Sequence, residues 1–114
     1  MGIKVAAADV PKEDAGHARV SRYVRREGTV GVGVGVSSFG AIPADVDPRS
    51  VWEAHDVPEV HFVVSGRGVL LEEDEEVMLE PGDVVVTLPG QRHVLWGVGA
   101  TPLVTVYVAS GTAV

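Results

Sequence analysis

Apolar and polar positions along the chain follow the two-residue period of strands far more often than the longer period of helices. The clearest stretch is residues 29–38. There Val30, Val32, Val34 and Val36 fall on one face of an extended chain, and Gly31, Gly33 and Gly35 on the other. Residues 3–7, 18–25, 51–55, 60–65, 68–72, 77–79, 84–87, 92–98 and 103–109 read as further strands. Turn signals punctuate them: Arg26-Glu27-Gly28-Thr29 as a hairpin turn, an Asp- and Pro-rich loop over 43–49, the run Glu73 to Glu76, Pro81-Gly82-Asp83 and Pro89-Gly90. One helical turn is expected over 11–14, capped by Asp9 and ended by Gly16. No predicted helix is long enough for a crossover, so antiparallel pairing is expected, and about ten strands predict an all-β sandwich or barrel.

Composition narrows this picture. The 114 residues fit one domain, and 46% hydrophobic residues suit a packed core rather than disorder. There is no cysteine, which removes disulfides, thiolate metal sites and thiol catalysis. The net charge of −7 repels phosphate backbones, so nucleic acid is not an expected partner. Much of that charge stands in Glu72-Glu73-Asp74-Glu75-Glu76, which reads as a solvated turn. Neither a signal peptide nor a membrane span is legible, and the expectation is a soluble cytoplasmic protein without a membrane partner. The absence of Asn and the preference for Arg over Lys suit a GC-rich bacterial genome. The glycines at 31, 33 and 35 alternate with valine and precede no helix, so they do not form a nucleotide loop. They read instead as a flat wall, either widening a cavity or letting large neighbours pack close.

The chemistry concentrates in two segments. Three of the four histidines lie there, as His55 and His61 around Glu59, and as His93. Imidazole nitrogens and carboxylate oxygens are the donors that Fe(II), Mn, Ni and Zn accept. By strand parity Glu53 and His55 share a face before the bend at Val57-Pro58, and Glu59 and His61 share one after it. Pairing around that bend turns all four toward one cavity, with His93 arriving from a separate strand. Trp52 and Trp96 are expected outside that cavity, and Tyr23 and Tyr107 default to core packing.

The pattern His55-x3-Glu59-x6-Gly66, followed by Gly82-Asp83 and Pro89-Gly90-x2-His93, resembles the two motifs of the cupin superfamily. The resemblance covers about residues 30–110. It implies a single antiparallel double-stranded β-helix, a jelly-roll barrel with little helix, over 30–110. Residues 1–29 would supply N-terminal strands and a hairpin, with 3–7 a dimer-exchange segment. It further implies a divalent transition metal (Fe, Mn, Zn or Ni) on His55, Glu59 and His93. The chain departs from the family pattern in three places. Glu53 stands where the first motif usually begins with His, Leu88 where the second has Pro, and Gly97 where an Asn is usual. Glu53 is then either a fourth ligand or an acid/base group beside the metal, and His61, two residues from a ligand, is a second acid/base candidate.

The function so implied is a small metal-dependent enzyme acting on a small, partly hydrophobic organic substrate, with Val63 and Leu95 lining the cavity. Isomerase, cyclase or lyase chemistry, in secondary metabolism for instance, and Fe(II) dioxygenase chemistry all fit the family. The alternative is a non-catalytic module that binds a small ligand. Cupins commonly pair, so a homodimer is expected.

Overall fold

A computed structural model describes residues 3–15, 17–25 and 31–110 of the protein. Among the described residues there are nine strands: β1 (Glu13–Ala15), β2 (Ala18–Val24), β3 (Val32–Phe39), β4 (Glu59–Ser65), β5 (Gly68–Leu71), β6 (Glu76–Leu79), β7 (Val84–Thr87), β8 (Val94–Gly97) and β9 (Leu103–Ser110). They form two antiparallel sheets, a large one in the order β1-β2-β3-β9-β4-β7 and a small one in the order β6-β5-β8. The result is all-β, as the pattern predicts, and is the jelly-roll barrel that the family resemblance implies. No helix among the described residues is long and apolar enough to cross a membrane.

The core lies between the sheets. Phe39, Val63, Leu70, Leu79, Val85, Leu95 and Leu103 pack there, with Val63 and Leu103 fully shielded from solvent. In the small sheet β5 and β8 are buried on both faces. Their outer side chains, Val69, Leu71, Val94 and Trp96, are covered by Ile42, Val51 and Trp52 of the long connection before β4. Trp96 fastens that cover by donating its indole N–H to the Pro48 carbonyl at 3.0 Å. Both tryptophans therefore sit away from the cavity, as expected.

The N-terminal third departs from the sequence pattern. Residues 3–7 form no strand, and a single 3₁₀ turn occupies Ala7–Asp9. Ile3 is 95% exposed, so its apolar alternation finds no sheet to bury against. The helical turn expected over 11–14 is replaced by β1, which takes the edge of β2 in the register Glu13↔Val20 and Asp14↔Arg19. Glu13 and Asp14 have good caps for a helix but better partners in a sheet, because Arg19, Arg22 and Arg25 stand across from them. The predicted turn at 26–29 and the stop at Gly16 lie outside the described residues. Residues 51–55 form no continuous strand either. Only Glu53 pairs, as an isolated bridge to His93, because Val57-Pro58 turns the chain away directly afterwards.

The register of the large sheet arranges its inner face in cross-strand rows. One runs Gly33–Ala109–Glu59, the next Arg22–Gly35–Tyr107–His61, the next Val20–Ser37–Thr105–Val63 and the last Ala18–Phe39–Leu103. The inner face is thus polar at one end of the barrel and apolar at the other. The core fills the apolar end, and a cavity of about 300 Å³ opens at the polar end.

Candidate metal centre

Backbone pairing brings the donor segments together. Glu53 N–H donates to the His93 carbonyl at 2.8 Å, and His93 N–H donates back to the Glu53 carbonyl at 2.9 Å. Two residues that exchange both bonds in this way hold their Cα atoms about 5.5 Å apart. Gly90 N–H donates to the His55 carbonyl at 2.9 Å, which ties the same loop to the next donor. The positive φ of 78° at Gly90 lets the turn before His93 close. Glu53, His55 and His93 then offer ligand atoms that all lie within 4.8 Å of one another. The His55 and His93 rings are tilted against each other with centroids 5.3 Å apart.

Glu59 enters from the first position of β4. Its Oε2 lies 3.1 Å from His55 Nε2, so Glu59 adjoins the group through His55. Its other oxygen, Oε1, accepts from His61 Nε2–H at 3.3 Å. His61 is buried, and its Nδ1 lies 2.9 Å from the Thr105 hydroxyl. One assignment satisfies both contacts: Thr105 donates to Nδ1, and Nε2–H donates to Glu59. Burial pushes the Glu59 carboxyl up, but the hydrogen bond from His61 and the positive potential of His55, His61 and His93 outweigh it. The net direction is down from 4.5, so Glu59 is held ionised.

The donor set fits a divalent transition metal on the evidence of His93. Its Nδ1 lies 3.1 Å from the Gln91 carbonyl and donates to it, which leaves Nε2 as the basic nitrogen. That nitrogen is buried and has no hydrogen-bond partner. A buried imidazole lone pair facing a histidine and a carboxylate calls for a cation. Two imidazoles with one or two carboxylates are a set that Fe(II), Mn and Zn accept.

Sequence reasoning placed Glu53, His55, Glu59, His61 and His93 in this region, and all five are found there. Val63 and Leu95, expected in the cavity wall, belong to the core instead. Val63 stands one row too deep on β4, and Leu95 packs between the sheets from β8. The apolar lining comes from Ala18, Val20, Val24 and Phe39.

Three polar residues near the cavity had no sequence signal. His17 donates through Nε2 to the Leu95 carbonyl at 3.1 Å and places Nδ1 3.8 Å from Glu53 Oε1. Tyr107 stands directly across from His61 on β9. Burial raises its phenol above 10.0, with Glu59 and Glu13 adding to the rise against Arg22 and Arg25, so it is a neutral hydrogen-bonding group. Arg22 lines the same cavity from β2. Strand parity alone could have put Arg22 and Tyr107 on an inner face, but only the pairing of β2, β3, β9 and β4 sets them in one row with His61.

The sequence matches the model of the Cupin domain over residues 44–112. Solved structures share the fold. KdgF from Halomonas sp. superposes with a TM-score of 0.73 at 16% identity, over 98% of this chain and 96% of that one. A predicted oxalate decarboxylase from Thermotoga maritima gives 0.71 at 17% identity, over 96% and 100%. Fe(II)-HppE, in complex with the alternative substrate (S)-1-HPP, gives 0.75 at 16% identity, over 95% of this chain and 60% of that one. No curated protein sequence matches.

Proposed function

Because the chain belongs to the cupin family, we propose that it is a metal-dependent enzyme of that family acting on a small, partly hydrophobic organic substrate. His55 and His93 would hold the metal together with the carboxylate of Glu59, and Glu53 would stand beside it. The observation that carries this reading is the buried, unpartnered Nε2 of His93, brought within 4.8 Å of donor atoms of Glu53 and His55. A divalent metal there supplies a Lewis acid for a substrate carbonyl or hydroxyl oxygen.

The protein's own groups divide the remaining work. His61 has both ring nitrogens engaged, by Thr105 and Glu59, and so positions Glu59 rather than moving a proton. Glu53 lines the cavity, with its oxygens no closer than 3.8 Å to the neighbouring imidazoles. It is the group better placed to take a proton from a substrate carbon, at its carboxylate oxygen. The neutral phenol of Tyr107 orients the substrate by hydrogen bonding. Proton removal next to an oxygen-bearing carbon is the shared step of isomerisation, cyclisation and elimination. Fe(II)-HppE, a structural neighbour, holds iron, which supports keeping Fe(II) among the candidate metals.

The test is the metal content of protein purified without added metal, with oxygen uptake measured on the Fe(II) form. About one equivalent per chain is expected, and His93→Ala should lose it. Oxygen-coupled turnover would select a dioxygenase. Zinc or manganese without oxygen uptake would select proton-transfer chemistry. A metal-free wild-type protein that His93→Ala leaves unchanged would overturn the reading.

The assembly we infer is a homodimer. The outer face of the large sheet leaves Val60, Phe62, Val64, Val84, Val86 and Val108 between 38 and 56% exposed. The register places these side chains in adjacent rows on β7, β4 and β9, with no charged residue among them. Their exposed area is on the order of 500 Å², toward the upper end for a monomer and most of the roughly 800 Å² per partner of a standard interface. An uncharged apolar sheet face is complementary to its own copy, and no described residue covers it as Ile42, Val51 and Trp52 cover β5 and β8.

A further inference from the structure

The cavity has two poles. At one, Glu53, His55 and Glu59 gather with His93. At the other, Arg22 and Arg25 line the same cavity from β2 and the residue after it. Between the poles stands Tyr107, whose phenol feels the charges of Arg22 and Glu59 together. The row Arg22–Gly35–Tyr107–His61 makes this continuous. A Cβ at Gly35 would fall 2.5 Å from the Tyr107 ring and hydroxyl, so the missing side chain is what lets Tyr107 lie across β3 toward Arg22.

The arginine pole is rich in donors. Arg22 Nη1 lies 3.0 Å from Glu13 Oε2, and Arg25 Nη2 lies 3.7 Å from the same oxygen. One carboxylate oxygen thus serves two guanidiniums, each of which carries five N–H donors. Glu13 itself is not part of the cavity wall, so it anchors the arginines from outside. Guanidiniums that line the cavity and keep donors beyond the one each turns to Glu13 are suited to a carboxylate.

We propose that Arg22, with Arg25 and the Tyr107 hydroxyl, forms an anion subsite that binds the carboxylate of a small organic acid while the acid's oxygen-bearing carbon lies at the Glu53–His55–His93 end. This rests on the reading that the cavity is a substrate site and narrows that substrate to an organic acid anion. A cavity of about 300 Å³ holds an acid of a few carbons. The partly apolar wall of Val20, Val24 and Phe39 accommodates its hydrocarbon part.

The test uses 4-hydroxybutanoate and its neutral analogue 4-hydroxybutanamide as probes. Binding is followed by calorimetry and by NMR of the arginine Nε–H signals, on the zinc-loaded protein and on the metal-free protein. The acid should bind at least about tenfold tighter than the amide. Arg22→Met should abolish that preference without changing metal content. Arg22→Lys should restore part of it, and Tyr107→Phe should weaken the acid several-fold while the melting temperature holds. Equal affinity for acid and amide would overturn the subsite, as would an unchanged affinity of Arg22→Met for the acid. An arginine-dependent preference in a protein that takes up no metal would sink the metal reading and leave the subsite standing. Stoichiometric metal without the preference would do the reverse.

Discussion

At the scale of single residues, Glu59 is the pivot of the site. Burial works against its charge, and His61 with the neighbouring imidazoles overcomes that opposition. Its folded pKa is therefore below the 4.5 of an unstructured Glu. The ionised carboxylate contributes stability that is present in full above 4.5 and is lost as pH falls through the depressed folded value. In urea unfolding of the metal-free protein, Glu59→Gln should flatten the acid limb of the stability curve below that point. A variant with the same acid limb as the wild type would mean that the His61 contact is not held in solution. The residue types and spacing of His55, Glu59 and His93 were legible in the sequence because donor chemistry is intrinsic to a side chain. The roles of His61 and His17 were not. Each depends on which acceptor stands opposite its ring, Thr105 in one case and the Leu95 carbonyl in the other.

At the scale of elements, β3 shows what glycine contributes to the site. Its valines face outward and its glycines inward, as the alternation predicts, and the inward side is the one that matters. Gly35 lies against the Ser21 carbonyl as well as Tyr107. An added methyl at that position must displace backbone, not only a side chain. Gly35→Ala should cost about 1–3 kcal/mol by overpacking. At roughly 4–8 °C per kcal/mol for a domain near this size, the melting temperature falls measurably. Tyrosine near-ultraviolet dichroism should change with it as the ring is pushed from its place. A variant with the wild-type melting temperature and spectrum would refute the close approach. Element types were legible wherever both faces of a strand had something to meet. They failed at residues 3–7, which meet no sheet, and at 11–14 and 51–55, where pairing overrode the local pattern. The arginines of β2 drew Glu13–Ala15 into the sheet, and the Pro58 bend left Glu53 with one bridge to His93.

At the scale of the whole molecule, the two sheets differ in their outer faces: a loop covers β5 and β8, and no described residue covers the apolar face of β4 and β7. Phe62→Lys, at the middle of the bare face, should shift the protein from dimer to monomer in analytical ultracentrifugation while metal content is retained, since Phe62 points away from the cavity. A wild-type protein that sediments as a monomer at micromolar concentration would exclude this assembly. The sequence by itself determined the strand-rich antiparallel character, the donor residues and the polarity of each strand's two faces, because these follow from side-chain chemistry and the two-residue period of extended chain. Only the tertiary structure decided the order of the strands, and with it the row that joins Arg22 and Tyr107 to His61 and the bridge that sets Glu53 beside His93. Pairing partners are chosen by long-range burial and backbone hydrogen bonding, and no local period records which strand a given strand will meet.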